Sequence, residues 1–187
     1  MWKRFLSSLE TIPPPKGMER PPGLDLEAIQ RCETIIGIRF PSAYRAFMIE
    51  IGPGELLDYY RILGPQVARK DGRRHYFRIE EHLKSRRKRL AQRTDSDLLR
   101  RSIVFARTLE GMEFFWDPAE EPLHKASHER TIYLDERHKI YRACTSFKEL
   151  ITEFIPNDGV TRLVGGHLNL DSPRTFEPAY VRKKKAK

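Results

Sequence analysis

The side chains able to do chemistry fall into four groups along the 187 residues. The densest is a run of cations, Lys84, Arg86, Arg87, Lys88, Arg89 and Arg93. On a helix they would cover most of its circumference and could grip phosphates. Glu80, Glu81, Asp95 and Asp97 would neutralise part of that charge, and His75, Tyr76 and Phe77 are too few for a base-stacking platform. The second group is Glu55, Asp58, Tyr59, Tyr60 and Arg61. Aromatics and arginine are enriched at binding hot spots, and the two carboxylates add acidic complementarity. Successive residues of a strand face opposite ways, so one of the two tyrosines is expected at the surface. Trp116 and Asp117, at a strand end, form the third group: the indole either anchors a partner or plugs the sheet edge. Fourth, His124 and His128 stand four apart with Glu129 adjacent. On a helix they could share a metal, but Pro122 precedes them, a third ligand is not evident and no H-E-x-x-H is present. Cys32 and Cys144 form no CxxC pair, and Cys144 has no evident base. With no G-x-S-x-G, P-loop or dinucleotide fingerprint either, the reading contains no catalytic residue, no metal site and no cofactor.

The chain carries a formal charge of +9, and its distribution matters more than its size. Residues 69–101 hold 13 basic and 5 acidic side chains, whereas 24–68 hold 4 and 6, and 102–154 hold 7 and 10. The stretches with the best core patterns are therefore net acidic, and the positive charge sits on an insert and on the two ends. No run of about 18 apolar residues occurs, so no membrane partner is expected. The opening Met1–Leu6 is charged but is followed by Glu10 and Pro13-Pro14-Pro15 instead of an apolar core, so no signal peptide is expected. Two distant cysteines and no leader fit a cytoplasmic setting.

These groups must be held by a core, and the periodicity shows where it lies. Residues 1–23 read as an extension and linker, Pro- and Gly-rich from 11 onward. Asp25 can cap a helix over Asp25–Ile36 whose apolar residues Ala28, Ile29, Cys32, Ile35 and Ile36 share a face, with Gly37 as the stop. Pro41 suits the start of a second helix, striped by Tyr44, Phe47, Met48 and Ile51. Residues 56–63 are rich in β-formers and predict one strand. A third helix over 79–92 would be anchored only by Ile79, Leu83 and Leu90. Ser102–Arg107 with Met112–Trp116, and Thr131–Leu134 with Lys139–Ala143, predict two hairpins. Ser146 and Glu149 form an S-x-x-E capping box before a helix faced by Phe147, Leu150, Ile151 and Phe154. Residues 157–187 read as a polar basic tail, disordered toward its end. The fold class is α+β: a largely antiparallel sheet with two N-terminal helices and a C-terminal helix packed on it.

This order, with particular residues, resembles the SUKH superfamily, which includes yeast cell-wall-assembly regulators and many bacterial immunity proteins. The first matching segment is Ile29, Glu33, Ile36, Gly37, Ile38, Phe40, Pro41, Tyr44 and Phe47, closed by Gly52-Pro53-Gly54 where family members often have Asn-Gly. The second is Ile103-Val104-Phe105-Ala106, Gly111 and Phe114-Phe115-Trp116-Asp117, and the third is Ser146, Phe147, Glu149, Leu150 and Ile151. The resemblance covers residues 24–156 as one domain with 69–101 as its basic insert. Most of these positions are structural, and Glu33 itself reads as a cap or salt bridge near the second helix. The resemblance implies a non-enzymatic protein-binding domain whose partner is a toxin domain, often a nuclease. Glu55, Asp58, Tyr59, Tyr60, Arg61, Trp116 and Asp117 are the expected partner-binding residues. The alternative is nucleic-acid binding through Lys84, Arg86, Arg87, Lys88, Arg89 and Arg93.

Overall fold

The computed structural model describes residues 2–11, 16, 18–19, 24–65, 78–90, 96–137, 139–165, 175–178 and 181–182. The paired helices form as their spacing predicts. The Asp25 carboxylate accepts from the Ala28 amide at 2.6 Å, and α2 (Leu26–Ile36) runs to Gly37, whose φ of 80° only glycine adopts without strain. Glu33 receives the Phe40 amide at 2.8 Å and lies 3.8 Å from Arg45, so it ties α2 to the entry of α3 (Ser42–Glu50). A short helix, α1 (Trp2–Ser7), precedes both within the stretch read as extension. Its Trp2 is buried edge-on against Phe47 at 5.2 Å and Phe147 at 5.9 Å.

The expected strand over 56–63 is instead a tight hairpin, β3 (Gly54–Leu56) and β4 (Tyr60–Ile62). Leu57 and Asp58 both adopt positive φ in its turn, 56° and 51°. Such a turn is ordinarily marked by Gly or Asn, and its absence from the letters is why it reads as continuous β. The conformation is held from outside: Leu57 donates its amide to the Thr175 carbonyl at 2.8 Å, and Asp58 accepts from the Thr175 hydroxyl at 3.2 Å.

The two predicted hairpins follow as β5 (Ile103–Thr108) with β6 (Glu113–Trp116), and β7 (Ile132–Glu136) with β8 (Lys139–Cys144). The sheet also takes in β1 (Glu10–Thr11) and β9 (Thr175–Pro178), in the order β1-β9-β3-β4-β5-β6-β7-β8, every pairing antiparallel except β1 with β9. A second, two-stranded ribbon pairs β2 (Met18–Glu19) with β10 (Val181–Arg182). Strand β9 thus falls inside the stretch read as a tail, and its Phe176 is buried. The terminal residues 183–187 lie outside the described residues.

A bulge between Val104 and Ala106 turns both Phe105 and Ala106 toward one face. There Phe105 stacks on Trp116, centroids 3.9 Å apart, and Tyr44, Phe47 and Phe147 close over them. Phe147 opens α6 (Phe147–Glu149), which widens into a π-helical turn over Leu150–Phe154, and α7 (Gly159–Val164) follows. The cap is present but offset: Ser146 accepts from the Glu149 amide at 3.1 Å, while Glu149 reaches back to the amide and hydroxyl of Thr145, each at 2.8 Å.

Gly54 marks where β9 seats. A Cβ there would lie 2.5 Å from the Glu177 carbonyl oxygen and 2.5 Å from the Phe176 ring. Gly54→Ala is expected to cost about 1–3 kcal/mol in urea unfolding and to speed proteolysis after residue 165. An unchanged midpoint would mean that β9 does not pack there.

Candidate interaction face

The opposite face of the sheet is charged. Cross-strand pairing sets one row, Glu177–Glu55–Arg61–Arg107–Glu113–Asp135–Ile140, across β9, β3, β4, β5, β6, β7 and β8. Directly paired residues point to the same side, so six ionisable side chains in register line this face. Beside it runs a shorter row, Val104–Phe115–Tyr133–Arg142.

Helix α4 (Ile79–Leu90) docks over the middle of this face. Glu80 is buried in its first turn, and the buried positions Ile79, Leu83, Arg86 and Leu90 are spaced at four, three and four, so an arginine completes the apolar stripe. The Arg86 guanidinium is 3% exposed. It donates to the Glu113 carboxylate, to the Leu99 carbonyl, to the Ser102 hydroxyl at 2.6 Å and to Asp135 at 3.4 Å, with the Phe115 ring 5.9 Å away. The second Glu113 oxygen lies 2.9 Å from His82 Nε2 and 3.4 Å from Arg89. Burial alone would raise the Glu113 carboxyl, but the hydrogen bond with His82 and the charge of Arg86 outweigh it and hold the group at about 2. Leu99 and Ser102 come from α5 (Asp97–Arg101) and its exit, so one cation joins two helices to two strands.

Helix α4 leaves two flanks of the face partly open. On the β3–β4 flank, Arg61 pairs with Glu55 at 3.0 Å, both side chains part-exposed, and Asp58 is exposed in the turn. Next in the row, burial and the neighbouring Arg61 cation push the Arg107 guanidinium below its ordinary range. On the β7–β8 flank, Tyr133 is half-buried and stacks on Phe115 at 5.5 Å, its hydroxyl donating to the Glu120 carboxylate. Burial, then Glu120, push that phenol up to about 12. Asp117, held by Arg101 through two bonds of 2.7 Å, receives the Ala119 amide at 2.9 Å and so shapes the loop that carries Glu120.

Several expected residues lie elsewhere. Tyr60 is fully buried and Tyr59 is 7% exposed, because Tyr59 belongs to the hairpin turn, where strand alternation does not apply; neither ring is presented to a partner. Trp116 is fully buried as the floor of the aromatic core. Arg86 is withdrawn from any phosphate by its four acceptors, whereas Lys84, Arg87, Lys88 and Arg89 remain exposed, and Arg93 lies outside the described residues. His124 and His128 stand on a turn, not on a helix. Their neighbour Glu129 is buried and accepts from the amides of Ala43 at 3.2 Å and Phe147 at 3.4 Å, clamping the starts of α3 and α6. Both cysteines are buried, and burial pushes both thiols well up. Tyr133 was missed although its signal was present: Ile132 and Leu134 turn inward, so Tyr133 and Asp135 must face out.

A profile of the SMI1 / KNR4 family (SUKH-1) matches residues 23–153, as the resemblance led one to expect. No curated protein and no solved structure matches the chain.

The Glu113 carboxylate is depressed from 4.5 to about 2, so its contribution is complete above the unfolded value and is lost as pH falls through the folded one. Stability should therefore drop between about pH 4.5 and pH 2 by of the order of 3 kcal/mol through this group. Glu113→Gln should flatten that limb in urea midpoints measured against pH. Glu113→Leu leaves Arg86 buried with a weaker counter-charge and is expected to cost about 3–5 kcal/mol at pH 7.

Proposed function

We propose that this chain, which belongs to the SMI1 / KNR4 family (SUKH-1), is a non-enzymatic protein-binding domain of the bacterial immunity type. It acts in the cytoplasm by capturing and neutralising a toxin domain. The observation that carries this reading is the charge row of the outer sheet face, whose spacing is set by backbone pairing and whose flanks stay accessible on either side of α4. Binding loses little to ordering when the binding groups are already fixed, and strands fix them better than loops do.

The β7–β8 flank supplies the anchor. Tyr133 is an aromatic held by a stack and a hydrogen bond, Glu120 accepts from its hydroxyl, the next residue, Glu121, is exposed, and Arg142 is its cross-strand neighbour. Glu55, Asp58 and Arg61 supply a second patch, with Asp117 as a positioning group. A basic toxin surface, such as that of a nuclease, is the partner these acids suit. The side chains most able to do chemistry are engaged structurally: Glu129 clamps two helices, Asp117 is held by Arg101, and the thiols are buried. Among the described residues, no helix is long and apolar enough to cross a membrane.

The test uses the C-terminal domain of a large secreted protein encoded beside this gene. The full chain should retain that domain in a pull-down and block its toxicity. Tyr133→Ala should weaken binding by roughly 30-fold or more, the scale of a hot spot of about 2 kcal/mol. Glu120→Arg with Glu121→Arg should mainly slow association and reverse the salt dependence. Retention unaffected by all three changes would place the interface elsewhere, and no retention of any neighbouring gene's product would remove the immunity reading.

A further inference from the structure

The burial of Arg86 fixes how α4 is rotated. With Ile79, Leu83, Arg86 and Leu90 turned in, positions 84, 85, 87, 88 and 89 are turned out, and all five are exposed. They are Lys84, Ser85, Arg87, Lys88 and Arg89. Arg89 is partly engaged by Glu113, whereas Lys84, Arg87 and Lys88 make no ion pair among the described residues. At i, i+3 and i+4 these three cations are helix-surface neighbours, positions whose Cβ atoms ordinarily stand about 5–6 Å apart. The helix cannot roll to relieve their repulsion, because rolling would pull Arg86 from its four acceptors.

We propose that this outward face of α4 is a sequence-independent contact for the phosphate backbone of a nucleic acid. Charge alone would suit an acidic protein equally, and composition decides between them. A protein interface draws its energy from aromatic, apolar or arginine anchors seated in desolvated pockets, and the five outward positions hold no aromatic or apolar side chain, their two arginines standing exposed on the helix. Phosphate binding asks only for cations and small donors, and Lys, Ser, Arg, Lys and Arg supply those and nothing else. Without base-stacking aromatics or side chains placed to read base edges, the contact is with the backbone and has no sequence preference. The inference is independent of toxin capture, which uses the flanks of the sheet.

The test is fluorescence anisotropy of the full chain with a labelled DNA duplex and a labelled single-stranded RNA, each over a range of salt. If three phosphate contacts are made, duplex affinity should fall roughly 40-fold between 50 and 200 mM salt through these residues alone. The Lys84→Glu, Arg87→Glu, Lys88→Glu variant should lose binding, and its salt slope should shrink by about 3. A control with the same change in net charge, Arg39→Glu, Lys125→Glu, Lys148→Glu, reverses exposed cations elsewhere and should keep the contact. Thermal melts of both variants should match the parent, since none of the six side chains is buried. Equal loss in the two variants would overturn the proposal by reducing the effect to overall charge. It would also fall if neither nucleic acid bound, and loss of the toxin domain by the α4 variant would then mark the face as a protein contact.

Discussion

One buried guanidinium organises the outer half of this protein. Taking Arg86 out of water is costly, and the cost is offset because each of its three nitrogens meets an acceptor: two carboxylates, a carbonyl and a hydroxyl. Those acceptors come from β6, β7, and α5 with its exit, so satisfying one side chain forces three parts of the chain into one arrangement. A leucine at this position would bury more easily and specify less. It would leave Glu113 and Asp135 under α4 without their central counter-charge, and α4, whose other anchors are Ile79, Leu83 and Leu90, could slide or roll.

The charge network in turn depends on register. Glu113 and Asp135 face the same way because β6 and β7 pair Glu113 with Asp135, and Phe115 with Tyr133. A slip of one residue in either strand would turn its acid into the aromatic core and its core residues, Phe114 and Trp116 in β6 or Ile132 and Leu134 in β7, toward the outer face. The bulge at Val104–Ala106 serves the same end from the neighbouring strand. It gives Phe105 to the core while returning Arg107 to the charged row. The aromatic cluster and the ion network are therefore two readouts of a single strand register, and each penalises the slips that would spoil the other.

Much of this was legible in the sequence. The two N-terminal helices, both distal hairpins and the closing helix followed from periodicity, caps and turn residues, because those signals are local. What escaped was non-local. The Leu57–Asp58 turn carries no glycine and is held by Thr175, more than a hundred positions away. Strand β9 has meaning only between β1 and β3, and Trp2 only beside Phe47 and Phe147. Trp116 and Tyr60 looked like anchors because residue type suggests a surface role, but type does not reveal which face a strand presents. Arg86 was hidden for a different reason: in a run of six cations nothing local separates the one that is buried from those that are not. Spacing held the clue, since Ile79, Leu83 and Leu90 leave one gap in their stripe and residue 86 fills it.

That gap also changes what the charge distribution means. Along the chain the protein reads as an acidic core interrupted by a basic insert, as though two functions had been joined end to end. In space the two cancel where they meet. Arg86, His82 and Arg89 converge on Glu113, and Arg86 also reaches Asp135, so two buried acids of the core are the seat of the insert, and one buried cation of the insert is part of the core. What remains available for binding is the residue of that neutralisation. On the sheet it leaves Glu120 beside Tyr133 and the Glu55–Arg61 pair, and on α4 it leaves positive charge at Lys84, Arg87 and Lys88. Opposite potentials on adjoining surfaces of one rigid unit can serve partners of opposite sign without competition between them, provided that each partner is small enough to respect the boundary. The boundary is α4 itself, and Arg86 is what keeps it in place.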